Sequence, residues 1–272
     1  MTDDSARAAE LISAAGALLV CAGAGMGVDS GLPDFRGDEG FWRAYPPYAR
    51  LGLRFEELAD PRHFASDPEL AWGFYGHRLA LYRETVPHDG FGLLRKWGSV
   101  MLGGVRVFTS NVDGQFQRAG FEQVAEAHGS IHHLQCVDGC RDDIWSADSL
   151  DVPIDEATMR TVAPLPACPH CGALARPNIL MFGDLEWVPH RSQAQLDELN
   201  AWRRENRDVV VIELGAGQAV PTVRRQSELA SAATGALIRI NPKEPETRHG
   251  RGVSLAAGAM EALTTLDALL RA

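Results

Sequence analysis

Four of the five cysteines form two close pairs, which is the spacing of a metal site. Cys136 and Cys140 are separated by three residues, and Cys168 and Cys171 by two. In a cytosolic chain, such pairs favour metal binding over a disulfide. Four thiolates complete the tetrahedral shell of a structural zinc ion and leave no position for a catalytic water. The fifth, Cys21, lies in an apolar run and is interpreted as a small buried side chain.

A glycine-rich stretch, CAGAGMGVDSGLPDFRG, follows the apolar run ALLV near the start of the chain. Gly23 and Gly25 fit the first positions of the G-x-G-x-x-G motif, which binds the phosphates of a dinucleotide. Val28 stands where the third glycine is expected, and a Pro-containing loop follows instead of a second strand. The stretch therefore indicates a nucleotide site that differs from that of an ordinary dehydrogenase.

Polar residues end a second predicted strand, VRVFTSN. Asn111 and Asp113 need hydrogen-bond partners or a ligand there, because polar groups at the end of a buried strand are costly when unpaired. Asp113 could accept hydrogen bonds from a ligand amide, but it is equally suited to cap the following helix, GQFQRAG. The residues alone leave both interpretations open.

His128 precedes a glycine on the same predicted edge of the sheet. Its side chain suits a general base, because imidazole has a pKa of about 6.5. The chain has nine histidines, so most are expected to be structural. His132 and His133 could bind metal in principle, but the four cysteines already complete a zinc shell.

The composition is that of an ordinary globular chain. Its 272 residues are 45% hydrophobic and 23% charged, with a net charge of −10. The negative charge argues against general nucleic-acid binding. No apolar run is long enough to span a membrane, and the acidic start lacks the basic region of a signal peptide. We therefore expect a cytoplasmic protein that binds neither nucleic acid nor membrane, and its oligomeric state stays undetermined.

Short apolar strands alternate with helices at both ends of the chain, which predicts an α/β fold with a parallel, doubly wound sheet. A first helix is predicted with Ser5 as its N-cap, and another begins at Pro68 with Asp67 as its N-cap. Ligands bind at the carboxyl ends of the strands in such sheets. Four predicted strands end in AGAGMG, TSNVDG, LGAGQ and RIN. Four polar or glycine-rich ends on one edge favour a nucleotide cleft over ordinary turns.

Six segments, in order, resemble the motifs of the sirtuins, a family of NAD-dependent protein deacylases, and the chain is closest to the bacterial type. They are GAGMGVDSGLPDFRG, TSNVDGQFQRAG, EAHGSIHHLQC, RPNILMFGD, LGAGQAVPT and LIRIN. The resemblance implies a Rossmann-like doubly wound sheet with an inserted zinc module and a helical module. It implies one catalytic domain over 1–272, divided into a large domain (1–37, 98–134 and 176–272), a cofactor loop with the helical module (38–97) and a zinc-binding module (135–175).

The resemblance also implies the chemistry: NAD is a co-substrate, zinc is structural, and acyl groups are removed from the lysines of protein or peptide substrates. His128 and Asn111 are the implied catalytic residues. The implied NAD contacts are Gly23, Ala24, Gly25, Asp34, Phe35, Arg36, Ser110, Asn111, Val112, Asp113, Gly215, Ala216, Gly217 and Asn241. The implied substrate contacts are Tyr75, Arg78, Phe182 and Gly183.

The chain departs from the family pattern at several positions. Gly27 replaces a usual serine, Ser110 replaces the glutamine of T-Q-N, and Ala216 and Gly217 replace a hydroxyl-bearing pair. The first cysteine pair has three intervening residues instead of two. The Ser110 departure leaves room for ADP-ribosyl transfer or NAD hydrolysis in the same cleft. An NAD-sensing module without turnover is a second alternative.

The segment FYGHRLALY places Tyr75 and Arg78 three residues apart, on one face of a predicted helix. Spacing alone favours a tyrosine at the edge of the core and a solvated arginine. The pattern F-Y-x-x-R, however, resembles that of sirtuins that remove succinyl and malonyl groups. A guanidinium and a phenol can together bind the carboxylate of such an acyl chain. The resemblance therefore predicts a preference for negatively charged acyl groups.

Overall fold

A six-stranded parallel sheet forms the centre of the protein. The computed structural model describes residues 3–33, 41–42, 45–50, 52–162, 164–247 and 251–272. The strands are β1 Ala17–Ala22, β2 Val105–Thr109, β3 Val124–Glu126, β4 Gly129–Cys136, β5 Ile144–Ser146, β6 Ile154–Asp155, β7 Arg160–Thr161, β8 Ala175–Ile179, β9 Val209–Leu214, β10 Leu237–Ile240 and β11 Val253–Leu255. The central sheet has the order β11-β10-β9-β1-β2-β3, which confirms the predicted fold class.

Some of the helices cover both faces of this sheet, and others pack in a separate core. The described helices are α1 Asp3–Ala14, α2 Pro46–Arg50, α3 Phe55–Leu58, α4 His63–Ser66, α5 Pro68–Glu84, α6 Asp89–Ser99, α7 Gln115–Arg118, α8 His190–Glu205, α9 Thr222–Ser231 and α10 Ala259–Leu270, and a 3₁₀ helix spans Ala24–Ser30. Leu18 and Val20 of β1 pack with α1, α6 and α10. Leu19 and Cys21 point to the other face, where α8 and α9 cover them. Every residue of β1 is therefore buried, including Cys21, as the sequence predicts.

Helix α5 begins as predicted. Pro68 is its first residue, and the Asp67 carboxylate accepts a hydrogen bond from the backbone N–H of Leu70. Trp72 and Phe74 are fully buried in a second, aromatic core. Helix α1 differs from the prediction, because it begins at Asp3, before the expected cap. Negative side chains in its first turn favour this earlier start through the helix dipole.

Two smaller sheets lie between β3 and α8 in the chain. Strands β5, β4 and β8 form one antiparallel sheet, and β6 pairs with β7 in a second. Both cysteine pairs lie within or beside the first of these sheets. The limits of the inserted modules stay predictions, since strands and helices alone do not define domain boundaries.

Among the helices that the structure describes, none is long and apolar enough to cross a membrane.

Helix α5 packs so closely on the β6–β7 hairpin that only glycine fits at one position. A Cβ atom added at Gly73 would lie 1.9 Å from the carbonyl oxygen of Met159. Gly92, in α6, has no atom within 4 Å of such a Cβ. We expect Gly73→Ala to lower the free energy of unfolding by about 1–3 kcal/mol or more, because the backbone must move apart. Gly92→Ala is the matched control and should raise it by about 0.5–1 kcal/mol, since alanine favours helices.

Urea denaturation of the two variants and the parent protein measures both effects. Equal unfolding midpoints for the two variants would contradict the close contact between α5 and the hairpin.

Candidate active site

A cleft of about 660 Å³ opens where the central strands end. This volume is within the range of about 300–1,000 Å³ that is typical of ligand pockets. The predicted site residues that line it are Gly23, Ala24, Tyr75, Arg78, Ser110, Asn111, Val112, Asp113, His128, Phe182, Gly215, Ala216 and Gly217. The structure thus gathers residues from four strand ends of the central sheet, from the turn after β8 and from helix α5 around one cavity.

Two glycine turns form one wall of the cleft. A Cβ atom at Gly23 would lie 2.9 Å from Cα of Ala216, and one at Gly215 would lie 2.4 Å from the backbone of Gly25. Gly215 also has a positive φ of 60°, which favours glycine. The backbone N–H of Gly25 donates to the carbonyl of Gly215 over 3.1 Å. Gly25 therefore supports the wall from behind and does not itself line the cleft.

The turn after β2 presents Asn111 and Asp113. The Asn111 side-chain amide donates to the carbonyl of Gly23 over 3.0 Å and so ties this turn to the first glycine turn. One oxygen of Asp113 accepts from the backbone N–H of Gln115 over 2.8 Å. Both roles considered for Asp113 are therefore compatible, because it supports the start of α7 and also lines the cleft. Burial, reinforced by the charge of Glu126, raises the pKa of Asp113 to about 6.

His128 follows β3 and faces the cleft. Its Nε2 atom lies 3.3 Å from the hydroxyl of Thr222, a partner that the sequence analysis did not identify. Gly129 follows with a φ of 76°, and a Cβ atom there would lie 2.0 Å from the carbonyl oxygen of Asn178. Only glycine therefore fits at this turn. Burial lowers the pKa of His128, so its imidazole is neutral at pH 7 and able to accept a proton.

An aromatic pocket surrounds Arg78 at another part of the cleft. Its guanidinium carbon lies 5.1–5.7 Å from the ring centroids of Phe55, Phe74, Tyr75 and Tyr82. Arg78 is only 5% exposed, so the solvated arginine that spacing alone favours is not found. The Tyr75 hydroxyl is buried and has no hydrogen-bond partner in the described structure. Tyr82 is not among the residues predicted from the sequence, although its position four residues after Arg78 is a usable signal.

Phe182 lines the cleft from a turn that a buried ion pair holds. Arg176 contacts both carboxylate oxygens of Asp184 at 2.7 and 2.9 Å, and neither side chain is more than 2% exposed. The backbone N–H of Phe182 donates to the carbonyl of Ala59. Gly183 has a positive φ of 66° in this turn and does not line the cleft.

Some residues assigned to NAD lie elsewhere or outside the described structure. Asn241 is fully buried and does not line the cleft. Its amide donates to the carbonyl of Ala216 over 2.9 Å, and its oxygen accepts from the backbone N–H groups of Lys243 and Glu244. In this structure Asn241 therefore supports the wall of the cleft. Three further residues lie outside the described part of the chain, and they are Asp34, Phe35 and Arg36.

The four paired cysteines converge and are positioned to bind a zinc ion. All their sulfur atoms lie within 4.8 Å of one another. The separations of Cys136 from Cys171 and of Cys140 from Cys168 are both 3.7 Å. Tetrahedral zinc with Zn–S bonds of about 2.3 Å requires sulfur–sulfur distances of about 3.8 Å, so the donor set fits.

Among the described residues, the group of converging metal-ligating atoms holds the four cysteines and neither His132 nor His133. His132 bonds instead to the carbonyl of Asp113 over 2.9 Å.

We expect the purified protein to contain about one zinc ion per chain, because four thiolates complete the metal shell. Cys168→Ala removes one ligand and should lower the zinc content strongly. Cys21→Ala is the matched control, since Cys21 is buried in β1 and should leave the zinc content unchanged. Elemental analysis after gel filtration measures both variants. Full zinc occupancy in Cys168→Ala would contradict the assignment.

Comparison with known proteins agrees with this geometry. A sequence model of the Sir2 family matches residues 23–217. An NAD-dependent protein deacylase 1 of Archaeoglobus fulgidus is 31% identical over 92% of this chain and 91% of its own length. An NAD-dependent protein deacylase 1 of Pseudomonas aeruginosa is 32% identical over 94% of this chain and 95% of its own length.

Solved structures give the same result. A Sir2 homologue mutant in complex with ADP-ribose is 28% identical, with a TM-score of 0.76 over 100% of this chain and 97% of that one. A Sir2 homologue in complex with NAD is also 28% identical, with a TM-score of 0.75 over 97% and 93% of the two chains. The chain belongs to the Sir2 family.

Proposed function

We propose that this protein is an NAD-dependent deacylase that removes acyl groups from the lysines of proteins. The observation that carries the proposal is the position of His128, a neutral and largely buried base, in the same cleft as the two glycine turns. The names of the two relatives described above support this activity, and a relative in complex with NAD supports the co-substrate.

The cleft supports a reaction in which NAD lies across the strand ends, with its pyrophosphate near the backbone of the glycine turns. The acyl oxygen of the modified lysine attacks the ribose carbon that carries nicotinamide, and nicotinamide leaves. His128 then takes a proton from the ribose 2′-hydroxyl, which attacks the acyl carbon. With one water, the products are free lysine, nicotinamide and 2′-O-acyl-ADP-ribose.

The other residues of the cleft have distinct proposed roles. Asp113 accepts a hydrogen bond from the nicotinamide amide. Its carboxyl suits this role, because its pKa of about 6 leaves it largely ionised at pH 7. Asn111 holds the first glycine turn in place through the carbonyl of Gly23. Val112 and Phe182 supply apolar surface around the reacting groups, which helps to exclude water.

One incubation separates this proposal from its alternatives. The protein is mixed with NAD and an acyl-lysine peptide, and the products are identified by mass spectrometry. Deacylation gives free peptide lysine and O-acyl-ADP-ribose in equal amounts. NAD hydrolysis or ADP-ribosyl transfer gives free or protein-bound ADP-ribose instead, and an NAD-sensing module gives no product.

We expect His128→Ala to lower the rate of deacylation by about 10²–10⁴-fold, as for the loss of a general base. NAD binding, measured by calorimetry, should change little, because the glycine turns stay intact. His190→Ala is the matched control, since His190 is exposed at the start of α8 and lies outside the cleft. Near-normal turnover by His128→Ala would contradict the proposed mechanism.

We also propose that the preferred acyl groups carry a carboxylate, as succinyl and malonyl groups do. Tyr75 and Arg78 line the same cleft as His128, so the end of an acyl chain can reach them. The buried guanidinium is a strong partner for a carboxylate. An acetyl group has no carboxylate to accept from the Tyr75 hydroxyl, which has no partner among the described residues, and polar sites discriminate strongly against ligands that leave them unpaired.

We expect the protein to convert succinyl-lysine peptides with a higher kcat/KM than acetyl-lysine peptides. Arg78→Met should lower the succinyl kcat/KM by the equivalent of about 2–5 kcal/mol, as for truncation of a buried charge pair. Arg95→Met is the control, because Arg95 is exposed on α6. A parent preference for acetyl peptides, or equal losses on both peptides in Arg78→Met, would contradict the acyl proposal.

A further inference from the structure

Helix α5 presents three polar side chains to the cleft, and the third of them has no role in the proposed function so far. Tyr75, Arg78 and Tyr82 are spaced by three and four residues, so they lie on one face of the helix. All three line the cavity that contains His128. Tyr82 is only 5% exposed. Its hydroxyl is therefore a polar group that the fold has placed at a buried surface of the cleft.

The hydrogen bonds of Tyr82 fix both the arginine and the direction of its own proton. The hydroxyl oxygen accepts from Nε of Arg78 over 3.1 Å and from Nη2 over 2.9 Å. Two N–H donors on one oxygen occupy its acceptor positions, so the O–H bond points away from the guanidinium. The Tyr82 hydroxyl donates to none of the described residues.

Tyr75 supplies a second phenol O–H group to the pocket. The Tyr75 hydroxyl is buried and has no hydrogen-bond partner in the part of the chain that the structure describes, and the Tyr75 ring centroid lies 5.6 Å from the guanidinium carbon of Arg78. Burial raises the pKa of both phenols, so each keeps its proton at neutral pH. The pocket thus offers two O–H donors beside a guanidinium. A carboxylate, which only accepts hydrogen bonds, complements such a set.

We propose that Tyr82 is a specificity-determining residue of the acyl pocket, which orients the Arg78 guanidinium and donates its own hydroxyl proton to the carboxylate of the acyl group. The inference rests on the proposed preference for acidic acyl groups and adds to it a third donor. Arg78 and Tyr82 act together, because the hydrogen bonds that hold the guanidinium also direct the Tyr82 proton away from it.

Tyr82→Phe tests this directly, because it removes the hydroxyl and keeps the ring that packs against Arg78. Tyr48→Phe is the matched control, since the Tyr48 hydroxyl is also buried but has no partner among the described residues and does not line the cleft. For each variant, kcat and KM are measured with succinyl-lysine and acetyl-lysine peptides at saturating NAD. Thermal melting checks that each variant is folded.

We expect Tyr82→Phe to lower the ratio of succinyl to acetyl kcat/KM by about ten- to a hundredfold, because a hydrogen bond to a charged group is lost. Most of the change should appear in the KM for the succinyl peptide. Tyr48→Phe should leave this ratio unchanged. The double variant Arg78→Met/Tyr82→Phe should lose less than the product of the two single losses, because each residue depends on the other.

The outcomes separate this inference from the proposal on which it rests. If Arg78→Met lowers the succinyl-to-acetyl ratio and Tyr82→Phe does not, the role of Tyr82 is overturned while the acyl preference stands. Equal losses on both peptides in Tyr82→Phe also overturn it, because they indicate a role in packing only. If neither variant changes the ratio, the preference for acidic acyl groups fails as well.

Discussion

The backbone of Gly23 lies directly against the backbone of Gly215 and Ala216, and the shape of the cleft depends on this contact. It arises because β1 and β9 are parallel neighbours with Ala22 opposite Leu214, so the turns that follow them occupy the same region. Side chains at either glycine would push the turns apart. The hydrogen bonds of Asn111 and Asn241 then attach the neighbouring strand ends to these turns. One wall of the cleft is therefore built almost entirely from backbone.

Buried charges hold other parts of the cleft in position. Glu213 lies in β9, two residues before Gly215. It is fully buried, and its carboxylate contacts Nε of Arg239 in β10 at 2.7 Å. Arg176 and Asp184 fix the turn that carries Phe182 in the same way. Desolvation offsets much of the attraction within such pairs, so their net stabilisation is small. Breaking one of them is costly, however, and this keeps each turn in a single arrangement.

Asn111 and Asn241 have roles that the sequence alone could not assign. Both stand at strand ends, where a side-chain amide can hold either a ligand or the backbone of a neighbouring turn. The structure contains the backbone contacts for Asn111 and Asn241, and only Asn111 also lines the cleft. A single sequence does not distinguish these roles, because the partner carbonyls of Gly23 and Ala216 come from other strands.

The sequence by itself determined the fold class and the residues that form the glycine turns. Apolar strands, helix caps such as Asp67 and close cysteine pairs are local patterns, and local physics is enough to interpret them. Only the tertiary structure decided that Arg78 is buried among aromatic rings, that Tyr82 holds its guanidinium, and that the pKa of Asp113 rises to about 6. These properties depend on desolvation and on contacts between segments distant in the chain, which packing creates and no local pattern contains.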